Sequence, residues 1–377
     1  MIPLRSLTSG LSRLISSLNP YQATLSLPAL PTQNIETSSS KTARTLNNLF
    51  KANHHAHNIL QHGTANQLPH LLASAYLLSA TPEHLSSLYD DQLQCLEHWV
   101  ESHEQLVEGD WRDVLGRKEY SRAFVDFFED RLAATGYEWR EMVGEVLFEG
   151  ERPLGYALLE EGGMPAVSLS AAFEVGSQAL GIEALGLAAC GWGVLARVFE
   201  EEGETMTEGS TEDLEEVLVK MRGDQRLDGH KGRSVDGLLQ DAQSKEVVLE
   251  YWRGWTTEDL KKSFEDGQRA AVELLVGGQH FDLSMAQLLN ASHAVRVLLP
   301  IIPSDWHVRL LRQWWLLFVS TYICLGRPTL DGRRTKELDL NARDWRFVTD
   351  RALRSKWSTD AQFVKGELIE VAFSGFC

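Results

Sequence analysis

The stretch Ala43-Arg44-Thr45-Leu46-Asn47-Asn48-Leu49-Phe50-Lys51-Ala52-Asn53-His54-His55-Ala56-His57-Asn58-Ile59-Leu60 sets its apolar side chains three and four residues apart. That spacing is the mark of a helix that buries one face. Gln67 to Ala80 (QLPHLLASAYLLSA) continues the apolar pattern, and Thr81-Pro82-Glu83 supplies an N-cap with proline at the first helical position. The same period runs through 87–107, 119–135, 167–200, 211–222, 257–276, 283–300, 305–325, 341–355 and 360–373. No alternating Val, Ile or Thr segments bounded by Asn-Gly or Asp-Gly turns interrupt it. The spacing predicts an all-α fold, with one large multi-helix domain over 41–377. Residues 1–40 read as a lead, because 20–40 hold three prolines and a serine run. Residues 203–256 are the most polar part of the chain and read as an excursion between two apolar helical layers.

Of the 377 residues, 43% are hydrophobic and 24% charged, the balance of a globular chain. The formal net charge of −17 leaves no basic stripe for DNA or RNA, so no nucleic-acid partner is expected. Nine acidic residues and no basic one lie between Glu200 and Glu216. A docking surface would account for them, but a solvated loop with acids in the first turn of a helix does so more simply. Cys95, Cys190, Cys324 and Cys377 are far apart and form no CxxC, which excludes a disulfide scaffold and fits a reducing compartment. No run reaches the roughly 18 apolar residues of a membrane span, so no membrane is expected and a cytoplasmic location is. The first 20 residues, with Arg5, Arg13, five serines and no acid, resemble a mitochondrial transit peptide, although a short N-terminal helix is the simpler reading.

Several catalytic patterns fail. Gly191-Trp192-Gly193-Val194-Leu195-Ala196 matches the dinucleotide pattern GxGxxA, but that pattern needs a preceding strand to deliver phosphate to a helix N-terminus. The run before it, GIEALGLAAC, is helical, and small residues for close helix packing explain the glycines. There is no GxSxG elbow, no P-loop and no HExxH. Cys95 and His98 are spaced for one helical face, a pair more often incidental than catalytic.

Histidine is the more suggestive residue. His54, His55, His57 and His62 fall within nine positions. On a helix, Asn53, His54 and His57 lie close together. His70 follows on the next helical stretch beside Asn66 and Gln67, and an antiparallel helix pair would bring His57 and His70 across one cleft. Imidazoles serve as metal ligands or as acid/base groups near neutral pH. His55 and His62 read as surface groups. For His54, His57 and His70 the functional and the structural readings stand level.

Asn53-His54…His57…Ala65-Asn66-Gln67-Leu68-Pro69-His70-Leu71-Leu72, followed by Ala75 to Glu83, resembles the fungal questin oxidase-like family. Those proteins are described as Baeyer–Villiger oxidases of anthraquinone and xanthone pathways. Gly162 to Ala189, Asp224 to Gly229, Gly277 to Ser292, Leu325-Gly326-Arg327-Pro328 and Asp360 to Lys365 keep the family order, so the resemblance runs over residues 45–375. One branch of the family binds non-haem iron through histidines of these motifs and a carboxylated lysine, which by position is Lys365. Where the family has histidine, this chain has Gln67, Met164, Ser168, Gln287 and Gln362. Glutamine and serine are poor transition-metal ligands beside imidazole, and methionine prefers soft ions. Iron held in the family manner is therefore not expected.

The resemblance implies an oxidoreductase of polyketide secondary metabolism that oxygenates or cleaves a polycyclic aromatic ketone, a small-molecule aromatic polyketide. Its catalytic candidates are His54, His57, His70 and Lys365. His57 or His70 would act as the base, and Lys365 as an ammonium that holds a phenolate or carbonyl oxygen. Asn66, Gln67, Met164, Ser168, Gln287 and Gln362 would line the substrate pocket. NADPH is a reductant implied by the family alone. Two alternatives stand: a metal-free relative that catalyses cyclisation, dehydration or isomerisation with acid/base residues, or a non-catalytic binding protein.

Overall fold

The computed structural model describes residues 30–377 except 103, 203–213, 256–258, 278–281, 331–343 and 375–377. The transit-like start and residues 203–213 of the acidic run therefore lie outside the described residues. The chain forms α1 (Lys41–Ala56), α2 (Leu68–Leu77), α3 (Pro82–Gln92), α4 (Ser121–Ala134), α5 (Trp139–Phe148), α6 (Met164–Val175), α7 (Gln178–Cys190) and α8 (Val194–Glu202). It continues through α9 (Leu214–Gly223), α10 (Val235–Gln240), α11 (Ala242–Arg253), α12 (Leu260–Gly277), α13 (Leu283–Leu298), α14 (His307–Cys324), α15 (Trp345–Arg354) and α16 (Ala361–Ser374). The all-α fold expected from the spacing is the fold observed, in one helical domain.

Helices α6, α7, α13 and α14 are apolar on nearly every side and form the centre, as helices without a polar face must. All twelve residues of α6 are buried. It packs on α7 and α13, while α13 in turn meets α12, α14 and α16, and α16 lies against α2. The sequence period through 167–200 is broken twice. Gly176 ends α6 in a left-handed conformation (φ 70°) and its N–H bonds back to Ala172. A Cβ there would also come within 2.7 Å of the Gln33 carbonyl oxygen, so only glycine fits.

The expected helix over 87–107 stops at Gln92, with a 3₁₀ turn to Cys95. Tertiary pairing overrides its helical spacing. Trp99 Nε1 donates to the His54 carbonyl, Asn58 N–H donates to the Glu97 carbonyl, and His57 and His98 form an antiparallel bridge. Cys95 and His98 thus share no helical face. Helix α1 likewise ends at Ala56, and the chain turns through a short hairpin, Leu60–Gln61 against Thr64–Ala65. Its turn is His62-Gly63, both at positive φ.

The described part of the polar segment 203–256 forms α9 to α11, with one buried face. Trp252, fully buried, donates its Nε1 hydrogen to the Arg312 carbonyl on α14. Arg327, from the Leu325–Pro328 motif, donates to the carbonyls of Met221 and Asp224 and pairs with Asp228, which closes the end of α9 onto the end of α14. Among the described residues no single helix is long and apolar enough to cross a membrane.

Candidate active site

The hairpin α6–α7 carries two charged residues between Met164 and Cys190, Glu174 and Glu183. Carboxylates in such a setting persist only when paired. Each is paired with a histidine, in two separate places.

Glu174 sits at the centre. Its Oε2 accepts a hydrogen bond from Lys365 Nζ at 2.8 Å, and its Oε1 shares one with His293 Nε2 at 3.1 Å. All three side chains are buried. Burial opposes the Glu174 charge, but Lys365 and His293 outweigh it and hold the carboxyl below the usual carboxylate range. His293 is kept neutral by burial and by the Lys365 charge.

His70, on α2, lies within the influence of the same ammonium. It is buried, and neither ring nitrogen has a hydrogen-bond partner. Burial first, and then Lys365, push its pKa down to about 3. Beside this group, Gln362 on α16 ties three elements together. Its Nε2 donates to Gln67 Oε1 at 3.3 Å and reaches the Met164 sulfur at 3.5 Å, while its Oε1 accepts from Asn290 Nδ2 at 2.6 Å. The Asn290 Oδ1 is itself buried without a partner. Ser168 is buried one turn beyond Met164 on α6. Of the residues named from the sequence, the fold thus brings together Gln67, His70, Met164, Gln362 and Lys365. The sequence reading missed Glu174, Asn290 and His293. The signal for Glu174 was a lone acid in an apolar helix.

Other named residues lie elsewhere. His54 bridges Glu183 (Nδ1, 3.0 Å) and Glu129 (Nε2, 2.9 Å). Burial works against its charge, but the two carboxylates outweigh burial and lift its pKa to about 9. It is an imidazolium that ties α1 to α4 and α7. His57 stacks on His98 with ring centroids 5.1 Å apart, and burial and His98 lower its pKa. Its ring neighbours are His98 and Tyr89. Asn66 holds the turn before α2, donating to Asn53 Oδ1 and the Asn58 carbonyl while accepting from the Leu68 N–H. Gln287 lies against Gly162 and lines a separate cavity.

The donor set does not fit iron bound in the family manner. The matched positions offer amides, a thioether and a hydroxyl, and the Lys365 nitrogen is committed to Glu174. Among the described residues no group of three or more His, Cys, Asp or Glu side chains converges on a metal position. The GxGxxA stretch follows helix α7, and its amides serve the chain itself. Gly193 and Ala196 N–H groups donate to Glu160 Oε1 at 3.0 and 2.8 Å, so the N-terminus of α8 holds an internal carboxyl group where a phosphate would sit.

The family model described as questin oxidase-like matches residues 64–366. A comparison with the curated proteins finds no match. The matched span takes in His70, Glu174, His293 and the start of α16 through Lys365, and leaves His54 and His57 outside it. The chain belongs to the questin oxidase-like family.

Proposed function

We propose that this chain is an oxidase-type enzyme that oxygenates a polycyclic aromatic ketone at the His70–Lys365 group. Family membership supports the oxidase-type role. One observation carries the location: His70 is a buried imidazole with both nitrogens unpartnered, beside a buried ammonium. A buried imidazole with both nitrogens unmatched, next to a buried ion pair and the unmatched Asn290 Oδ1, is a place where a ligand can supply the missing bonds.

Held neutral, His70 is a weak base. Its use is to orient, accepting from a substrate phenol at one nitrogen and donating at the other. Lys365 supplies positive charge for a phenolate or developing oxyanion, and Glu174 and His293 fix that ammonium in place. The amide of Gln67 offers a further hydrogen bond. A second hydroxyl of the substrate, ionised in solvent before binding and held as a phenolate by Lys365, gives electrons to O₂, and a peroxide forms at the ring carbon beside the carbonyl. Cleavage of the O–O bond with migration of the adjacent C–C bond then opens or expands the ring. If both oxygen atoms stay in the product, no reductant is consumed. If one is inserted, two electrons and two protons, as from NADPH, release the other as water.

The test is oxygen uptake and ¹⁸O incorporation with hydroxyanthraquinones such as questin, in reduced and oxidised form, with and without NADPH. His70→Phe removes the ring nitrogens while keeping an aromatic ring. Its turnover is expected to fall by about 10²-fold or more, with thermal stability kept or raised because two unmet buried ring nitrogens are removed. Full activity in His70→Phe would remove His70 from the mechanism. The second reading, acid/base catalysis of a cyclisation, dehydration or isomerisation, is favoured by the loss of imidazoles at the matched positions, and it predicts product without oxygen uptake. Tight binding without turnover would make the chain a binding protein.

A further inference from the structure

The His70–Lys365 group is closed off, for each of the two residues exposes only 1% of its surface. A ligand must reach it through a gap between helices. Helices α2 and α16 lie side by side, and the hydrogen bond from Gln362 to Gln67 fixes their register. One turn further along each helix stand His70 on α2 and Gly366 on α16, with Lys365 beside Gly366 in the chain. Lys365 acts on His70 across this interface.

Gly366 is the break in that wall. Four residues from Gln362, it lies on the helix face that Gln362 turns toward α2. A Cβ there would meet no atom of the described residues within 4 Å, and the position is partly exposed, while Lys365, Glu367 and Leu368 around it are buried. Phe363, three residues back, faces α15, with the Arg351 guanidinium 5.4 Å from its ring centre. The open space therefore lies between α2 and α15. Glycine weakens a helix interior relative to alanine. A left-handed backbone justifies it at Gly176, and close packing at Gly181, where a Cβ would lie 3.0 Å from the Trp139 ring. Neither reason holds at Gly366, whose φ is not positive and whose surroundings are open.

We infer that the open space at Gly366 is the entrance to the His70–Lys365 group, and that this residue sets the size of what passes. The inference rests on the reading of that group as a ligand site and adds the route into it. A methyl at this position narrows the gap little, whereas a leucine side chain fills it.

Diethylpyrocarbonate, which acylates neutral imidazole, is the probe. His70 is held neutral, so access limits its reaction. The full-length protein is treated at neutral pH, and the rate of His70 labelling is followed by mass spectrometry against the exposed His62. The expected result is labelling of His70 in the wild type, a rate within about twofold in Gly366→Ala, and one about tenfold or more slower in Gly366→Leu, where the reagent waits on local opening. His62 is expected to react alike in all three. Gly144→Leu is the control, since Gly144 on α5 is also a helical glycine with no described atom within 4 Å of its Cβ position. It is expected to leave His70 labelling unchanged. If the leucine variant does not fold, Gly366→Gln decides in its place. His70 unlabelled in the wild type, labelled alike in Gly366→Leu, or slowed equally by Gly144→Leu overturns the inference. The expected labelling without any oxygen uptake on hydroxyanthraquinones overturns the oxidase reading and leaves the entrance standing. Undiminished oxygen uptake in a folded Gly366→Leu protein does the reverse.

Discussion

His54 and Lys365 are both buried cations held by carboxylates, yet their pairings make different predictions. The pKa of His54 rises from 6.5 to about 9 on folding. The charged form is the one the fold favours, so its contribution is complete below pH 6.5 and is lost as pH rises through 9. The contribution is about 2–3 kcal/mol at most, reduced by solvent at the part-exposed Glu129. The stability difference between wild type and His54→Gln, followed by urea unfolding from pH 6 to 10, is expected to shrink as pH rises. A constant difference would remove the ion-bridge account. Lys365→Met leaves Glu174 as a buried carboxylate without its cation, at a cost of about 3–5 kcal/mol. Adding Glu174→Gln is expected to recover much of that loss, and a double variant as unstable as the single one would show that the pair is not coupled.

The helices were largely legible from sequence because the central ones are apolar all round and the outer ones carry a single stripe. What the period missed was set by contacts between distant residues. The spacing of 87–107 is helical, but Trp99 and His98 pair with the end of α1 instead. The site was legible in part for a similar reason. Gln67, Met164, Gln362 and Lys365 were named through the resemblance to the family's motifs, but helix register alone does not say which face of α13 meets which neighbour. Gln287 therefore falls on the cavity side, while Asn290 and His293 face Gln362 and Glu174. Close helix packing carries its own prediction. A Cβ on Gly267 of α12 would overlap the fully buried Trp314 ring of α14. Gly267→Ala is expected to cost about 1–3 kcal/mol of stability through overpacking, measured by chemical denaturation. An unchanged midpoint would mean that α12 and α14 sit further apart than described.

Taken whole, the molecule is a helical domain of the questin oxidase-like family with a buried ion pair at its centre. Where the resemblance implied imidazoles, the centre holds Gln67, Met164, Ser168 and Gln362, and its cation is Lys365, neutralised by Glu174. Amides linked to one another, to a thioether and to Asn290 form a neutral network around a single ion pair. Such a network can position and polarise a phenolic ligand, and it gives a transition metal little to bind. The acidic net charge does not enter this centre, where every charge is paired. The most direct measurement is oxygen uptake with a reduced hydroxyanthraquinone by protein dialysed against a strong chelator. The account predicts that uptake persists after chelation, is not raised by added Fe(II), and is lost in His70→Phe. Uptake that disappears on chelation and returns with iron would contradict it.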